Sequence, residues 1–184
     1  MSGVEFTFLL IGLFIMAILY SSVGHGGASG YLAIMSLTSY GLMESAWLKQ
    51  HAWFLNLIVA SLAFYYYRKE GFHDIKLTMP FVIASIPMAF IGGYLFIDGT
   101  VYDLLLSLTL VLAAWRLYST MSFNEREKTT IPTFQQAIPW GVGIGLVSGI
   151  VGVGGGIFLS PIVLLKKWAT PKKVAATSAV FIWV

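Results

Sequence analysis

The sequence predicts an all-α membrane protein, a polytopic helical bundle with inverted repeats, each starting with a hairpin that glycines interrupt. Three observations support this fold class. The chain is 58% hydrophobic and only 10% charged, whereas a soluble domain carries about 25% charged residues. Its apolar residues come in runs of about 20, the length that crosses a hydrocarbon core roughly 30 Å thick. Two glycine clusters, at 24–27 and 152–156, lie inside such apolar sequence.

Apolar segments set the order of the predicted helices. They cover residues 4–23, 28–40, 46–67, 76–97, 101–118, 136–151 and 156–168, and a last segment starts at 174. The segments 28–40 and 156–168 have 13 residues each. At 1.5 Å per residue this is roughly 20 Å of helix, too short to span a bilayer alone. Each is therefore predicted to be the second arm of a hairpin whose glycine tip lies within the membrane.

Basic residues predict the orientation of the chain, because cytoplasmic loops carry the excess of Lys and Arg. They gather after the third, fifth and seventh segments, as Arg68, Lys69 and Lys76, then Arg116, Arg126 and Lys128, then Lys166, Lys167, Lys172 and Lys173. Three full spans separate the two hairpins. The first hairpin is therefore expected to enter the membrane from outside and the second from inside, as in an inverted repeat.

An ungapped alignment of residues 20–56 with 148–184 supports the repeat. It places Gly24, Gly26 and Gly27 on Gly152, Gly154 and Gly155. The predicted first repeat is 1–118, with hairpin 4–40 and three spans, and 119–135 is a cytoplasmic linker. The second repeat starts at 136–184, with hairpin 136–168 and a partial span from 174. A complete second repeat would also need counterparts of 57–118, so we expect it to be truncated here.

The composition argues against several kinds of site. There are no cysteines, which excludes disulfides, iron–sulfur clusters and thiolate metal sites. His25, His51 and His73 lack the companions that a metal site needs, so neither a metal nor a cofactor is expected. The net charge of +3 lies in short loops, where it carries topological information. No nucleic-acid partner is therefore predicted.

Enzymatic interpretations of the glycines are also disfavoured. A Gly-x-Gly cluster in a dinucleotide-binding fold needs a βαβ unit and an acidic residue about 20 positions further on. Glu44 lies at that distance from Gly24, but the long apolar surroundings argue against such a unit. An intramembrane enzyme would need an activated nucleophile or a set of metal ligands, and the sequence shows neither. The protein is not expected to be an enzyme.

The two glycine tips are predicted to bind an anion together. Each short helix begins just after its glycines, so its first N–H groups lack partners and its N-terminus is partly positive. Two such N-termini entering from opposite faces would converge near the midplane of the membrane. The candidate residues at the tips and in the first turns are Gly24, His25, Gly26, Gly27, Ser29, Gly152, Gly154, Gly155, Gly156 and Ser160. The alternative is that these glycines only allow close helix packing, as predicted for Gly141, Gly145 and Gly149.

Polar residues inside the apolar segments are mostly hydrogen-bond donors. No carboxylate lies deep in a segment, whereas Na⁺ or metal transport would usually place Asp or Glu there. Lys49, Trp53 and Asn56 share one helix face, and Lys49 and Asn56 are candidate substrate contacts. Lys49 could instead reach the outer interface, and Asn56 could form an interhelical hydrogen bond. His25 could bind the anion, carry a coupled proton, or simply bond a neighbouring carbonyl.

The glycine clusters belong to longer motifs. The second-half motif is SGIVGVGGGIFLSP at 148–161, followed by AATSA at 175–179, and the first-half version is SSVGHGGASG at 21–30. In these residues the sequence resembles the TauE/SafE family of sulfite and organosulfur-anion exporters. The resemblance adds Thr177 and Ser178 to the candidate site, and the first half has Lys49-Gln50 at the aligned positions. It implies a multi-pass permease of a bacterial or archaeal inner membrane.

Together these observations predict a permease that moves a small anion by alternating access. The resemblance implies a sulfur-containing anion such as sulfite, thiosulfate or an organosulfonate. The expected partners are this anion and the lipid bilayer, and the sequence does not indicate an oligomeric state. The alternative is a non-transporting membrane subunit, or an incomplete fragment with no activity of its own.

Overall fold

The computed structural model describes residues 3–95, 129–152 and 154–183, and six further positions between 104 and 118. Within these residues the helices are α1 Gly3–Ser21, α2 Ala28–Ser36, α3 Ser45–Lys69, α4 Ile75–Tyr94, α5 Phe134–Val151, α6 Gly156–Leu165 and α7 Pro171–Phe181. A short 3-10 helix, Ser39–Leu42, follows α2. No strand occurs in the described part of the chain. The prediction of an all-α bundle is confirmed for these residues.

Three helices are long and apolar enough to cross a membrane, namely α1, α4 and α5. Most side chains of α1 face away from the rest of the protein, and Leu9 is its buried residue. Such a continuous exposed apolar surface is stable when lipid covers it. Helix α3 has 25 residues, roughly 37 Å of length, but its polar and tyrosine side chains lower its hydropathy. Its role as a span stays a prediction.

Several helix boundaries differ from those expected. Helix α2 has nine residues and α6 has ten, so both second arms are even shorter than the 13 residues predicted. Helix α6 stops before the pair Lys166-Lys167, where Lys167 adopts a left-handed backbone with φ 55°. Helix α7 starts at Pro171, a residue suited to the first helical position. Most of the predicted span 101–118 and most of the linker lie outside the described residues.

Helices α4 and α5 form the most closely packed pair. Gly141, Gly145 and Gly149 of α5 face α4, and a Cβ on Gly145 would lie 2.5 Å from the carbonyl oxygen of Ser85. Ser85 Oγ donates a hydrogen bond to the carbonyl of Gly141 at 2.7 Å. Gly149 likewise leaves no room for a Cβ beside Ala89. The interpretation of this glycine stripe as a close-packing surface is confirmed.

Helix α7 is the most completely buried element. It contacts α3, α4 and α6, and its residues from Val174 to Ala179 are all buried. Between these two residues every side chain is small, being Ala, Thr or Ser. A helix with such a narrow profile lets backbone from other elements come close to its axis. Both glycine tips use this surface, as described below.

We predict that Gly145→Ala destabilises the protein. The new methyl group would meet the backbone of α4, which cannot move aside as a flexible side chain would, and overpacking of this kind costs about 1–3 kcal/mol. Melting temperature in detergent is the measurement. Gly143→Ala is the matched control, because a Cβ at Gly143 meets nothing within 4 Å and alanine favours helix. Equal stability of the two variants would contradict the packing interpretation.

Candidate functional site

The first glycine tip ends α1 in a Schellman motif. The His25 N–H donates to the Tyr20 carbonyl at 2.8 Å, and the Gly24 N–H donates to the Ser21 carbonyl at 3.0 Å. Gly24 has φ +76° and Gly27, the N-cap of α2, has φ +99°. Glycine is the residue that adopts this left-handed conformation without strain. The chain therefore reverses at the tip within a few residues and starts α2.

The second tip ends α5 in a related way. Gly152 has φ +69°, and its N–H donates to the Ser148 carbonyl at 2.8 Å. Gly152 and Gly24 are the residues that the ungapped alignment pairs, and both cap a helix in the left-handed conformation. Helix α6 begins four positions after Gly152, at Gly156. The two hairpins thus share a backbone feature at their tips.

Both tips pack against the small side chains of α7. A Cβ at Gly24 would overlap the backbone of Ala175, and a Cβ at Gly156 would lie 2.9 Å from the carbonyl oxygen of Ser178. A Cβ at Gly155 would lie 2.8 Å from the ring of Phe181. Glycine is therefore required at Gly24 and Gly156 for close approach, and at Gly24, with φ +76°, for chain reversal as well. The contact brings the N-termini of α2 and α6 to one helix.

A buried hydrogen-bonded chain joins the two hairpins. Nε2 of His25 lies 3.4 Å from Oγ of Ser160, and Ser160 Oγ lies 2.7 Å from Oγ of Ser178. His25 is 5% exposed, and both serines are fully buried. Nδ1 of His25 lies 3.0 Å from the Val23 carbonyl, so in the neutral ring Nδ1 carries the hydrogen and Nε2 accepts from Ser160. His25 therefore makes both the bond to a neighbouring carbonyl and a contact with the other hairpin.

Asn56 links α3 to the start of α2. Its Oδ1 accepts a hydrogen bond from the Ala28 N–H at 3.1 Å, and Asn56 is 4% exposed. The carboxamide nitrogen lies 3.6 Å from the position of a Cβ on Gly154. The interhelical hydrogen bond weighed for Asn56 is confirmed. The residue also lies between the two tips, with the oxygen facing one and the nitrogen facing the other.

Two cavities adjoin the tips. The larger has a volume of about 450 Å³ and is lined by α3, α4, α5 and the second tip, including Trp53, Asn56, Phe90, Tyr94, Ser148 and Gly152. The smaller, about 10 Å³, lies between the tips and includes His25, Gly27, Asn56 and Gly154 in its wall. A space of this size holds about one water molecule. Asn56 and Gly154 line both cavities and so separate the larger from the smaller.

Three of the expected site residues lie elsewhere. Ser29 bonds Tyr20 through its hydroxyl at 2.9 Å, which ties α2 to α1. Thr177 is fully buried and bonds Thr78 at 3.2 Å, which ties α7 to α4. Lys49 is exposed on α3 and is not part of either cavity wall. Their contribution to substrate binding stays a prediction.

Polar contacts also join α4 and α7 at the end of the bundle where basic residues gather. Lys173 Nζ lies 3.3 Å from Oδ2 of Asp74. Thr78 Oγ1 lies 3.3 Å from Nε2 of His73. Burial and the positive charge of Arg68 hold the pKa of His73 below its usual value, although Asp74 opposes this. The contact between Asp74 and Lys173 joins α7 to the N-terminal end of α4, which is the end distant from the larger cavity.

Sequence reasoning missed the wall that α4 and α5 give to the larger cavity. Ile86, Phe90 and Tyr94 line it from α4, and Ser148 lines it from α5. The adjacent glycines at 92 and 93 were the available signal, since Gly92 has no room for a Cβ beside α5 and Gly93 lines the cavity. Apolar and aromatic residues in a membrane helix otherwise look alike whether they face lipid or a cavity.

Comparisons with known proteins identify the family to which the chain belongs. The family model described as "Sulfite exporter TauE/SafE" matches residues 8–184. The chain is 35% identical over 176 residues to the probable membrane transporter protein y4hK of Sinorhizobium fredii (strain NBRC 101917 / NGR234). That alignment covers 94% of this chain and 70% of the relative. No solved structure shows a significant match. This chain is a membrane transporter that belongs to the sulfite exporter TauE/SafE family.

Proposed function

We propose that the protein transports a small sulfur-containing anion, such as sulfite, thiosulfate or an organosulfonate, by alternating access. The proposed binding region lies where the N-termini of α2 and α6 meet beside Asn56. The proposed location is a bacterial or archaeal inner membrane that the chain crosses several times. The description of the matching family supports the class of anion. The protein is proposed to act as a permease and not as an enzyme.

The single observation that carries the proposal is the meeting of two broken hairpins within the protein. His25 at one tip lies 3.4 Å from Ser160 in the first turns after the other. The N-terminus of a helix presents N–H donors and a partial positive charge, which favours an anion. Discontinuous helices that meet inside a transporter commonly form its substrate site. Two N-termini together provide more donors than either tip alone.

The charges of the cavity walls support an anion and not a cation. Among the described residues that line the two cavities, none is Asp or Glu. A cation carrier would need carboxylates or several carbonyl oxygens at this depth. The walls instead provide the amide of Asn56 and the indole of Trp53 in the larger cavity, and the imidazole of His25 in the smaller. The amide and the indole carry N–H groups that can donate hydrogen bonds to an anion.

We also infer that the hairpins belong to two inverted repeats, 1–118 and a second one from 136. Support comes from the left-handed Gly24 and Gly152 at aligned positions and from the distribution of basic residues. The larger cavity lies beside the last two turns of α4, away from Arg68, Lys69 and Lys76. Under the positive-inside rule this is the external side. The arrangement then corresponds to an outward-facing state.

The proposal is tested by thermal-shift binding to purified protein. Sulfite, thiosulfate, sulfoacetate, sulfate and simple carboxylates form the panel. We expect one or more of the sulfur-containing anions to raise the melting temperature, because a ligand that binds only the folded state stabilises it in proportion to RT ln(1 + [L]/Kd). A larger shift with a carboxylate would redirect the substrate class, and no shift with any anion would contradict the proposed function.

We predict that Asn56→Asp weakens anion binding while the fold persists. A carboxylate can still accept the Ala28 N–H and is favoured at a helix N-terminus, but its charge repels an anion nearby. The expected loss of affinity is about tenfold or more. Gln135→Glu is the charge-matched control, since Gln135 is exposed near the start of α5, roughly 20 Å along the helix from the cavity. Equal effects of the two variants would argue against a site at Asn56.

We predict that His25→Ala lowers anion transport and flattens its pH dependence. Imidazole titrates near neutral pH, and His25 belongs to the buried chain that joins the two tips. Uptake of radiolabelled anion into proteoliposomes, measured between about pH 6 and 8, is the readout. His51→Ala is the control, because His51 is exposed on α3 and bonds the Trp47 carbonyl of its own helix. Unchanged transport with an unchanged pH profile would remove His25 from the site.

A further inference from the structure

Tyr31 in α2 has a buried hydroxyl group that lacks a hydrogen bond. The residue is 1% exposed and packs in a cluster with Leu9, Met35 and Ala52. Within the described part of the chain its hydroxyl oxygen has no hydrogen-bond partner. Native proteins rarely leave such a group unpaired, because its desolvation is unfavourable. The hydroxyl is therefore expected to form a hydrogen bond with a group outside the described part of the protein.

The hydroxyl lies at the N-terminus of α2. Residue 31 lies one turn after Gly27, and helical side chains lean back towards the preceding turn. A Cβ on Gly27 would be 2.9 Å from Cζ and 3.0 Å from the hydroxyl oxygen of Tyr31. Gly27 is the N-cap of this nine-residue helix and also lines the small cavity between the tips. The absence of a side chain at Gly27 lets the hydroxyl lie close to the backbone at the start of α2.

The chemistry of the surroundings indicates what the missing partner is. The first turn of α2 presents N–H donors, and the acceptor oxygen of Asn56 already binds the Ala28 N–H. A partner of the Tyr31 hydroxyl at this place is therefore surrounded by donors and must accept several hydrogen bonds. An oxyanion meets this requirement, since each of its oxygens accepts more than one bond.

We propose that the Tyr31 hydroxyl donates a hydrogen bond to an oxygen of the transported oxyanion at the N-terminus of α2. This inference rests on the proposed function and names a further binding residue for it. The corresponding residue of the second hairpin in the ungapped alignment is Leu159, which is fully buried and apolar. The two tips are thus chemically unequal, and the directional contact belongs to the first. Tyr31 then favours substrates that offer an acceptor oxygen on that side.

The test is Tyr31→Phe, which removes only the hydroxyl. Without ligand, the variant should melt at the wild-type temperature or above it, because an unpaired buried hydroxyl is lost. With sulfite, thiosulfate and sulfate as separate probes, its Kd should rise about tenfold or more for the anion that wild type binds. This combination of unchanged stability and weaker binding is expected only if the hydroxyl meets the anion.

The control is Tyr67→Phe, whose hydroxyl donates to the Ser22 carbonyl at 2.8 Å. It should melt below wild type and keep the wild-type Kd. If Tyr31→Phe also melts lower, the Tyr31 hydroxyl has a structural partner and the inference is overturned. If it keeps the wild-type Kd, a water fills the place and the inference is likewise overturned. If no probe stabilises wild type, the proposed function itself is contradicted. That result differs from one in which wild type binds an anion and Tyr31→Phe binds it equally well, which contradicts only the role of Tyr31.

Discussion

The contact between the glycine tips and α7 is the constraint on which the rest of the site depends. Gly24 and Gly156 approach the backbone of Ala175 and Ser178 so closely that a methyl group would not fit at either glycine. The small side chains of α7 make its surface narrow, and the glycines make the tips narrow. Helices approach this closely in a membrane through dispersion and hydrogen bonding, because lipid supplies no hydrophobic force between them. The position of both N-termini follows from this packing.

Apart from the Tyr31 hydroxyl, the polar side chains described at the junction are paired and buried, which suits their depth in the bundle. His25, Ser160 and Ser178 form a continuous chain, and Asn56 caps α2. Unpaired polar groups in apolar surroundings are costly, so such a network holds its members in defined positions. The space between the tips holds about one water, whereas the neighbouring cavity is about 450 Å³. Asn56 and Gly154 line both spaces and lie between the cavity and the junction.

Much of the candidate site could be predicted because glycine clusters and helix lengths are local signals. The tips and the short second arms lie where the sequence places them, within a few residues. Ser29 was expected at the site from its place in the first turn of α2, and Thr177 from the family resemblance; their hydroxyls bond Tyr20 and Thr78. A hydroxyl in a buried helix takes whichever acceptor the neighbouring helix presents, and that neighbour is unknown from sequence. Tyr31 was overlooked for the same reason, since a tyrosine in an apolar segment looks like core.

The amino-acid sequence by itself determined the membrane class, the helical content, the places where helices break and the family motif. These depend on hydropathy and backbone freedom, which act over a few neighbouring residues. Only the tertiary structure decided that His25 meets Ser160, that Asn56 caps α2, and that α4 and α5 enclose a cavity beside the second tip. Those contacts join residues up to 135 positions apart, and they arise from the packing of small surfaces that hydropathy does not distinguish.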